Sequence, residues 1–316
     1  MKHALDLDPA TYVRHAIHRE DRVWPETNCY TDIWIEFLHA SGHDPLAALP
    51  FTLAIDFEGD QWTFFKPHLG DLLELYGIDV QELAIWKPLA RHIEEQVSRG
   101  HPVIVELDSF HLPDTAGTAY RLEHVKSSVL AVAIDVPGQR LRYFHNQGYY
   151  ELSGDDFVNA LRLHQDDPAF LPPYVELVKP RGGALSGPDL RAASIGLLRG
   201  HLRRMPQDNP FTAFRARFEA DLPELVALGL EHFHRYSFAT LRQFGACFEL
   251  AGDYLRWLGG LEGPAGEMAK IATGAKSLQF QLARAVTRKK PLDLSPLDAM
   301  AQAWESSKKT LKAAYL

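Results

Sequence analysis

The sequence predicts an α+β protein with a mixed N-terminal domain, residues 1–180, and an all-helical C-terminal domain, residues 189–316. In the first part, short apolar runs rich in β-branched residues stand between turn-forming residues, as is typical of strands. After residue 188 the apolar residues recur at helical spacing instead. The segment 181–188, with its three glycines and one proline, has the composition of a linker between the two parts.

Helices of the first domain are predicted from apolar spacing and from glycines at their ends. A helix begins at Cys29 and ends near Gly42, because glycine suits the left-handed conformation that follows many helices. Shorter apolar periodicity predicts further helices at 72–76 and 85–99, each followed by a glycine. Ser153 is an N-cap residue for one more helix, with two acidic residues in its first turn.

Strands of the first domain are predicted where the apolar spacing changes from helical to extended. They fall at 102–108, 129–135, 141–146, 149–152 and 174–178. The connection through Pro137 and Gly138 is short, so the second and third of these strands are expected to pair antiparallel.

The second domain is predicted to contain helices alone. They cover residues 189–204, 211–218, 222–236, 238–258, 264–287 and 294–315. No period of 20 to 50 residues repeats along them, which argues against a solenoid.

The bulk composition excludes several classes of protein. A formal net charge of −8 disfavours a general nucleic-acid binder, which needs a basic surface to neutralise phosphates. No apolar run approaches the roughly 20 residues that a membrane span requires. The N-terminus lacks the apolar core of a signal peptide, so we expect a cytoplasmic protein.

The cysteines and histidines give little support to a metal site or a disulfide framework. Cys29 and Cys247 are far apart, and Cys247 lies in an apolar helix that predicts a core position. The closest histidine pairs have no carboxylate at a recognised ligand spacing. These pairs are His15 with His18, His39 with His43, and His232 with His234. We therefore predict no bound metal.

Cys29 is the candidate nucleophile. It stands at the start of an amphipathic helix, after Thr27 and Asn28, which are both common N-cap residues. The positive end of the helix dipole favours the thiolate form of such a cysteine. The alternative is a buried structural cysteine at a helix start, so the assignment depends on a base nearby.

His124 and Asn146 are the candidate base and the group that orients it. His124 precedes the second predicted strand, and Asn146 ends the third. If these strands form a hairpin, the start of one lies beside the end of the other, which would make the two residues neighbours. A cysteine, a histidine and an asparagine in these roles form a nucleophile–base–orienter set. His145 is the competing base, but strand alternation would point it to the other face.

The order of these residues resembles that of papain-like cysteine peptidases and acyltransferases. Within that group the chain is most similar to the butirosin-biosynthesis acyltransferase and to the leader peptidases of bacteriocin exporters. The stretch 106–113 followed by Tyr120 and His124 carries this resemblance, which covers about residues 20–178. The chain also looks like a member of an uncharacterised bacterial family associated with carrier proteins and amino acid:carrier protein ligases.

The resemblance implies a papain-like N-terminal domain, a helix packed on an antiparallel sheet, and acyl transfer at a cysteine. Cys29, His124 and Asn146 would be catalytic, and Asp108 and Tyr120 would belong to the substrate site. The acyl or aminoacyl group would arrive on the phosphopantetheine arm of a carrier protein, with no other cofactor bound, and leave on a small-molecule or peptide amine. The basic groups 288–290 and 308–312 could dock an acidic carrier protein.

One position departs from the papain-like pattern. The glutamine that usually lies six residues before the cysteine and donates to the oxyanion is replaced by Val23. The backbone N–H of Cys29 supplies one donor, and either Asn28 or Gln61 is a candidate for the second. Two alternatives therefore stay open, a cysteine hydrolase that cleaves peptides or amides and a non-catalytic scaffold that binds carrier proteins.

Overall fold

The computed structural model describes residues 1–25, 28–164 and 172–316, so Thr27 lies outside the described residues. The chain divides into two compact units. The first, called the sheet unit, contains Met1–His18, Cys29–Pro45 and Leu69–Ser186. The second, called the helical unit, contains Arg19–Asn28, Leu46–His68 and Gly187–Leu316.

The sheet unit is built on one antiparallel sheet of seven strands in the described residues. The strands are β1 (Lys2–His3), β2 (Ile78–Glu82), β3 (Val103–Asp108), β4 (Lys126–Asp135), β5 (Arg140–His145), β6 (Gly148–Ser153) and β7 (Val175–Pro180). Their order is β2-β7-β3-β4-β5-β6, and β1 pairs with β4 outside this path. The α+β class predicted from the sequence is therefore confirmed, and the predicted β4–β5 hairpin is present.

Helices cover both faces of this sheet. They are α1 (Cys29–Ala40), α2 (Leu69–Tyr76), α3 (Leu89–Ser98) and α4 (Gly154–Ala160). On one face α1 packs through Phe37, whose ring centroid is 6.2 Å from that of Phe144 on β5. On the other face, apolar residues of α3 and α4 form a core with alternate residues of β3, β4 and β5, Leu107 and Tyr143 among them. This alternation decides which polar side chains reach which face.

Two differences from the sequence prediction concern β2 and α3. The strand β2 reads Ile-Asp-Val-Gln-Glu, which is too polar to be recognised alone, and it forms because its whole length pairs with β7. The helix predicted from residue 85 begins only at Leu89, after Pro88. The residue before a proline is biased away from the helical region, which explains the late start.

The helical unit contains six α-helices in the described residues. They are α5 (Gly187–Arg204), α6 (Pro210–Leu228), α7 (Leu230–Ser237), α8 (Gln243–Leu258), α9 (Glu262–Arg288) and α10 (Ser295–Tyr315). The break expected near residue 220 occurs at Gly229, whose φ of 84° ends α6. Pro223 is accommodated inside α6 on its exposed side.

The unit boundary between Ser186 and Gly187 falls inside the predicted linker. The domain assignment by sequence position nevertheless differs from the structure, because residues 19–28 and 46–68 belong to the helical unit. Trp24 shows why: its indole Nε1 donates to Ala272 O at 2.9 Å, and its side chain is buried. Such long-range packing leaves no mark in local periodicity. Among the described residues, no helix combines the length and apolar character needed to cross a bilayer.

Candidate active site

His124 and Asp108 form a hydrogen-bonded pair in the sheet unit. The imidazole Nδ1 lies 2.6 Å from Asp108 Oδ2, and Asp108 Oδ1 accepts the backbone N–H of Phe110 at 3.0 Å. Asp108 is the last residue of β3, and His124 comes two residues before Lys126, with which Asp108 pairs in β4. The carboxylate therefore fixes the orientation of the ring and favours the tautomer with the proton on Nδ1.

An aromatic ring covers one side of the imidazole. Phe110 stacks on His124 with ring centroids 4.4 Å apart and an interplanar angle of 10°. The guanidinium of Arg121 lies 5.6 Å from the Phe110 centroid, and Asp156 pairs with both Arg121 and the Tyr120 hydroxyl. Tyr120, predicted to be a substrate-site residue, thus anchors the segment that leads to His124.

An open cavity of about 270 Å³ adjoins this pair. Its lining consists of Asp108, His111, His124, Val158, Asn159, Arg162 and His164. The side chain of His124 is 70% exposed, so its second nitrogen is accessible to a small molecule in this cavity. A histidine held by a carboxylate and open on its far side can accept and return a proton.

Burial and hydrogen bonds shift the pKa values of Asp108 and of the nearby His111. Partial burial raises the pKa of the Asp108 carboxyl, but the hydrogen bonds from His124 and Phe110 outweigh this, and the net pKa is lowered. Burial also lowers the pKa of His111, which keeps that imidazole neutral to a lower pH. Asp108 is therefore an anion over the neutral pH range, as an orienting carboxylate must be.

Asn146 does not take the orienting position that the hairpin argument gave it. It lies in the turn between β5 and β6 with φ 47°, a left-handed conformation that asparagine tolerates better than most residues. In the described residues no hydrogen bond links it to His124, whose partner is Asp108. The reason is that β4 begins at Lys126, so His124 lies beyond the paired part of the hairpin, and a catalytic role of Asn146 stays a prediction.

Cys29 is the first residue of α1, as predicted, with a free and half-buried thiol. The next residue, Tyr30, fixes this end of the helix by donating to Glu176 Oε2 of β7 at 2.6 Å. Among the residues that the structure describes, no hydrogen bond joins Cys29 to His124 or to Asn146. The structure thus pairs the predicted base with a carboxylate, and it does not pair it with the predicted nucleophile.

The two candidate oxyanion donors both contact backbone carbonyls in the helical unit. Asn28 Nδ2 donates to Phe65 O at 2.6 Å, and Gln61 Nε2 donates to Ala239 O at 3.0 Å. These contacts hold local structure together and do not select one of the two residues. A role of either in an oxyanion hole stays a prediction.

A second histidine constellation was missed by the sequence reasoning. His145 is fully buried, and its Nδ1 lies 2.5 Å from Asp114 Oδ2 while its Nε2 lies 2.7 Å from Ser127 Oγ. Tyr143 lies on the same side of β5 and belongs to the core opposite α1, so His145 points toward that face of the sheet. Nothing in local sequence spacing connects Asp114 or Ser127 with His145.

One histidine pair in the helical unit has the proximity that metal ligands need. The rings of His68 and His201 meet edge to face with centroids 4.8 Å apart. Arg204 Nη2 lies 3.0 Å from His201 Nδ1, which places a permanent cation beside the pair.

Comparison with protein families gives matches along most of the chain. The model of the DUF1839 N-terminal domain matches residues 13–180, and that of the DUF1839 C-terminal domain matches residues 188–313. The two matches meet at the linker between the predicted domains. A search of the curated proteins finds no match.

Proposed function

We propose that this chain, which belongs to the DUF1839 family, transfers an acyl or aminoacyl group from a carrier-protein thioester to an amine. The observation that carries the proposal is the His124–Asp108 pair, with Nδ1 and Oδ2 2.6 Å apart beside an open cavity. A general base held in this way contributes about 10²- to 10⁴-fold to a reaction.

The proton path in the proposed reaction uses His124 twice. The amine nitrogen attacks the thioester carbonyl carbon, and His124 Nε2 takes a proton from that nitrogen. As the carbon–sulfur bond breaks, the imidazolium returns the proton to the leaving thiolate of the phosphopantetheine arm. The products are an amide and a free thiol, and Asp108 stabilises the positive imidazolium between the two transfers.

The covalent route through Cys29 is a second version of the same function. Here the thiolate takes the acyl group first, and the amine then attacks the acyl-cysteine. The free, half-buried thiol of Cys29 at the first residue of α1 supports this route. The papain-like relationship belongs to this version of the proposal, and the packing of α1 on an antiparallel sheet is compatible with it.

A basic stripe on the helical unit supports a carrier protein as the donor. Phe280, Arg284 and Arg288 are spaced by four residues on α9, so they lie on one face of the helix. With Lys290 they border a surface depression of about 360 Å³. In the described residues none of these three cations forms an ion pair, although the chain as a whole carries −8. A local basic surface on an otherwise acidic protein favours a partner that carries a matching acidic patch.

The test is transfer from a carrier protein loaded with a radiolabelled amino acid to an added amine. His124→Gln, which removes the base but keeps a polar side chain, should lower the transfer rate at least 100-fold. His101→Gln is the matched control, because His101 follows α3 outside the cavity. Equal rates for wild type and His124→Gln would contradict the proposal.

Cys29→Ala distinguishes the covalent route from direct attack by the amine. Measurements on the wild type distinguish acyl transfer from the hydrolase and scaffold alternatives. Loss of transfer together with loss of a covalent acyl adduct supports the acyl-cysteine, whereas retained transfer supports direct attack by the amine. Cleavage of peptides or amides without a carrier protein would indicate a hydrolase. Tight carrier-protein binding with no turnover in wild type would indicate a scaffold.

A further inference from the structure

A serine, a histidine and an aspartate form a continuous hydrogen-bonded chain in the sheet unit. Ser127 Oγ lies 2.7 Å from His145 Nε2, and His145 Nδ1 lies 2.5 Å from Asp114 Oδ2. Each residue contacts the next through the atom that a nucleophile–base–orienter set requires. This set shares no residue with the His124 cavity.

The hydrogen-bond partners of Asp114 and His145 indicate which atoms of the set donate and which accept. Asp114 Oδ1 also accepts the Tyr143 hydroxyl, so the carboxylate is held by two donors and both of its oxygens are used. In the neutral imidazole tautomer that donates Nδ1–H to Asp114, Nε2 carries no proton. Nε2 is then the acceptor for the Ser127 hydroxyl, which is the arrangement that activates a serine.

Three separate elements build this geometry. Ser127 is the second residue of β4 and pairs with Leu107, a member of the core on the face opposite α1. His145 ends β5, the next strand, and its ring is fully buried. Asp114 comes from the short 3-10 turn Pro113–Thr115, which Thr115 anchors by donating to Leu112 O at 2.9 Å.

Burial distinguishes the three members of the set. The side chains of His145 and Asp114 are 0% and 2% exposed, so water does not compete for the bond between them. Ser127 is half-buried, so it is the member of the set that lies nearest to solvent.

We propose that Ser127 is a nucleophile activated by His145 and Asp114, acting on small carboxylic esters. Its Oγ bonds to the ester carbonyl carbon while His145 Nε2 takes the hydroxyl proton. The carbon–oxygen bond to the alcohol then breaks, and the imidazolium gives its proton to the leaving alkoxide. Water attacks the acyl-serine by the same proton path, releasing the acid and restoring Ser127. This activity needs neither His124 nor a carrier protein, so it is independent of the proposed acyl transfer.

The test uses the full-length chain and a fluorophosphonate probe, with the labelled residue identified by mass spectrometry of peptides. Labelling forms an Oγ–phosphorus bond and releases fluoride, with the serine proton passing to His145. We expect a label on Ser127, no label at this position in Ser127→Ala, and an unchanged label in His124→Gln. Ser128→Ala is the matched control, because the neighbouring residue of β4 points to the opposite face.

Hydrolysis of p-nitrophenyl acetate gives the second measurement. Ser127→Ala should lower the rate at least 100-fold, and Asp114→Asn should lower it by up to about 10⁴-fold through the wrong histidine tautomer. In Asp114→Asn, part of the hydrolysis rate should return at high pH, because hydroxide then removes the Ser127 proton in place of His145. A purely structural role of Asp114 would not produce this recovery. Absence of a label on Ser127 in the folded wild type, or equal hydrolysis by wild type and Ser127→Ala, would overturn the proposal.

Discussion

Asp108 Oδ2 lies 2.6 Å from His124 Nδ1, so a carboxylate from the end of β3 orients the histidine that precedes β4. This hydrogen bond links the end of β3 to the segment before β4. Asp108 thus holds the His124 ring, as the sequence had led us to expect of Asn146. A charged partner also does more than an amide, because it stabilises the imidazolium as well as the ring orientation.

Asp108→Asn should lower acyl transfer by about 100-fold or more, because an amide can hold the ring without stabilising its positive charge. The measurement is the steady-state rate of transfer from a loaded carrier protein. Asp155→Asn, at an exposed position in the first turn of α4, is the matched control. Asn146→Ala should change the rate by much less, and the reverse ranking of Asp108 and Asn146 would restore the hairpin-based assignment.

Charge reversal on α9 should weaken carrier-protein binding. The double variant Arg284→Glu and Arg288→Glu places two negative charges on the basic stripe, and we expect at least a tenfold loss of affinity by calorimetry at low salt. The wild-type affinity should itself fall as salt rises, since exposed charges are screened. Arg203→Glu, an exposed cation in the last turn of α5, is the control. An affinity that is unchanged in the double variant would place the docking surface elsewhere.

Removal of the His18 side chain should destabilise the sheet unit strongly. His18 is buried between two carboxylates of α1, with Nε2 3.2 Å from Asp32 Oδ1 and Nδ1 in contact with Glu36. His18→Ala leaves these buried carboxylates without their cation, at an expected cost of about 3–5 kcal/mol in the free energy of unfolding. Urea unfolding at neutral pH measures this, with exposed His3→Ala as the control, expected within about 0.5 kcal/mol. A loss no larger than in the control would contradict the ion-pair interpretation.

The His18 interaction should also depend on pH in a defined direction. Burial lowers the pKa of His18, but hydrogen bonds and charge from Asp32 and Glu36 outweigh it, so the net pKa is raised. Its contribution to stability is therefore complete below the ordinary histidine value of about 6.5 and is lost as the pH rises through the raised value. The difference in unfolding free energy between wild type and His18→Ala should shrink at alkaline pH.

His92 should make stability depend on pH in the direction opposite to that of His18. Burial, with a smaller effect of Lys87, lowers the pKa of His92, and its Nε2 faces the backbone N–H groups of Trp86 and Lys87 at 3.3 and 3.4 Å. The folded state thus keeps the imidazole neutral at a pH where the unfolded chain binds a proton. Its contribution is complete above about 6.5 and is lost as the pH falls below that value. The urea midpoint should fall between pH 7.5 and 5.5, and less so in His92→Gln, with exposed His234→Gln as the control. An equal fall in wild type and His92→Gln would contradict this.

Local sequence was sufficient for the elements that depend on short-range rules. The start of α1 at Cys29 was predicted from capping residues and apolar spacing, and β3, β4 and β5 from apolar runs between turns. Strand β2 could not be predicted, because its polar sequence is stabilised by pairing with β7 almost one hundred residues later. The same limit applies to Trp24, whose partner Ala272 belongs to α9.

For the candidate site as well, some features could be predicted from the sequence and others depended on the tertiary structure. The sequence by itself determined the α+β class and the helical second half, and it singled out His124 as a candidate base. Only the tertiary structure decided that Asp108 orients His124 and that Ser127, His145 and Asp114 meet. The physical reason is that periodicity fixes the direction of a side chain within its own strand or helix. Which side chains then come within hydrogen-bonding distance depends on strand register and on turns such as Pro113–Thr115, and these are set by packing over the whole unit.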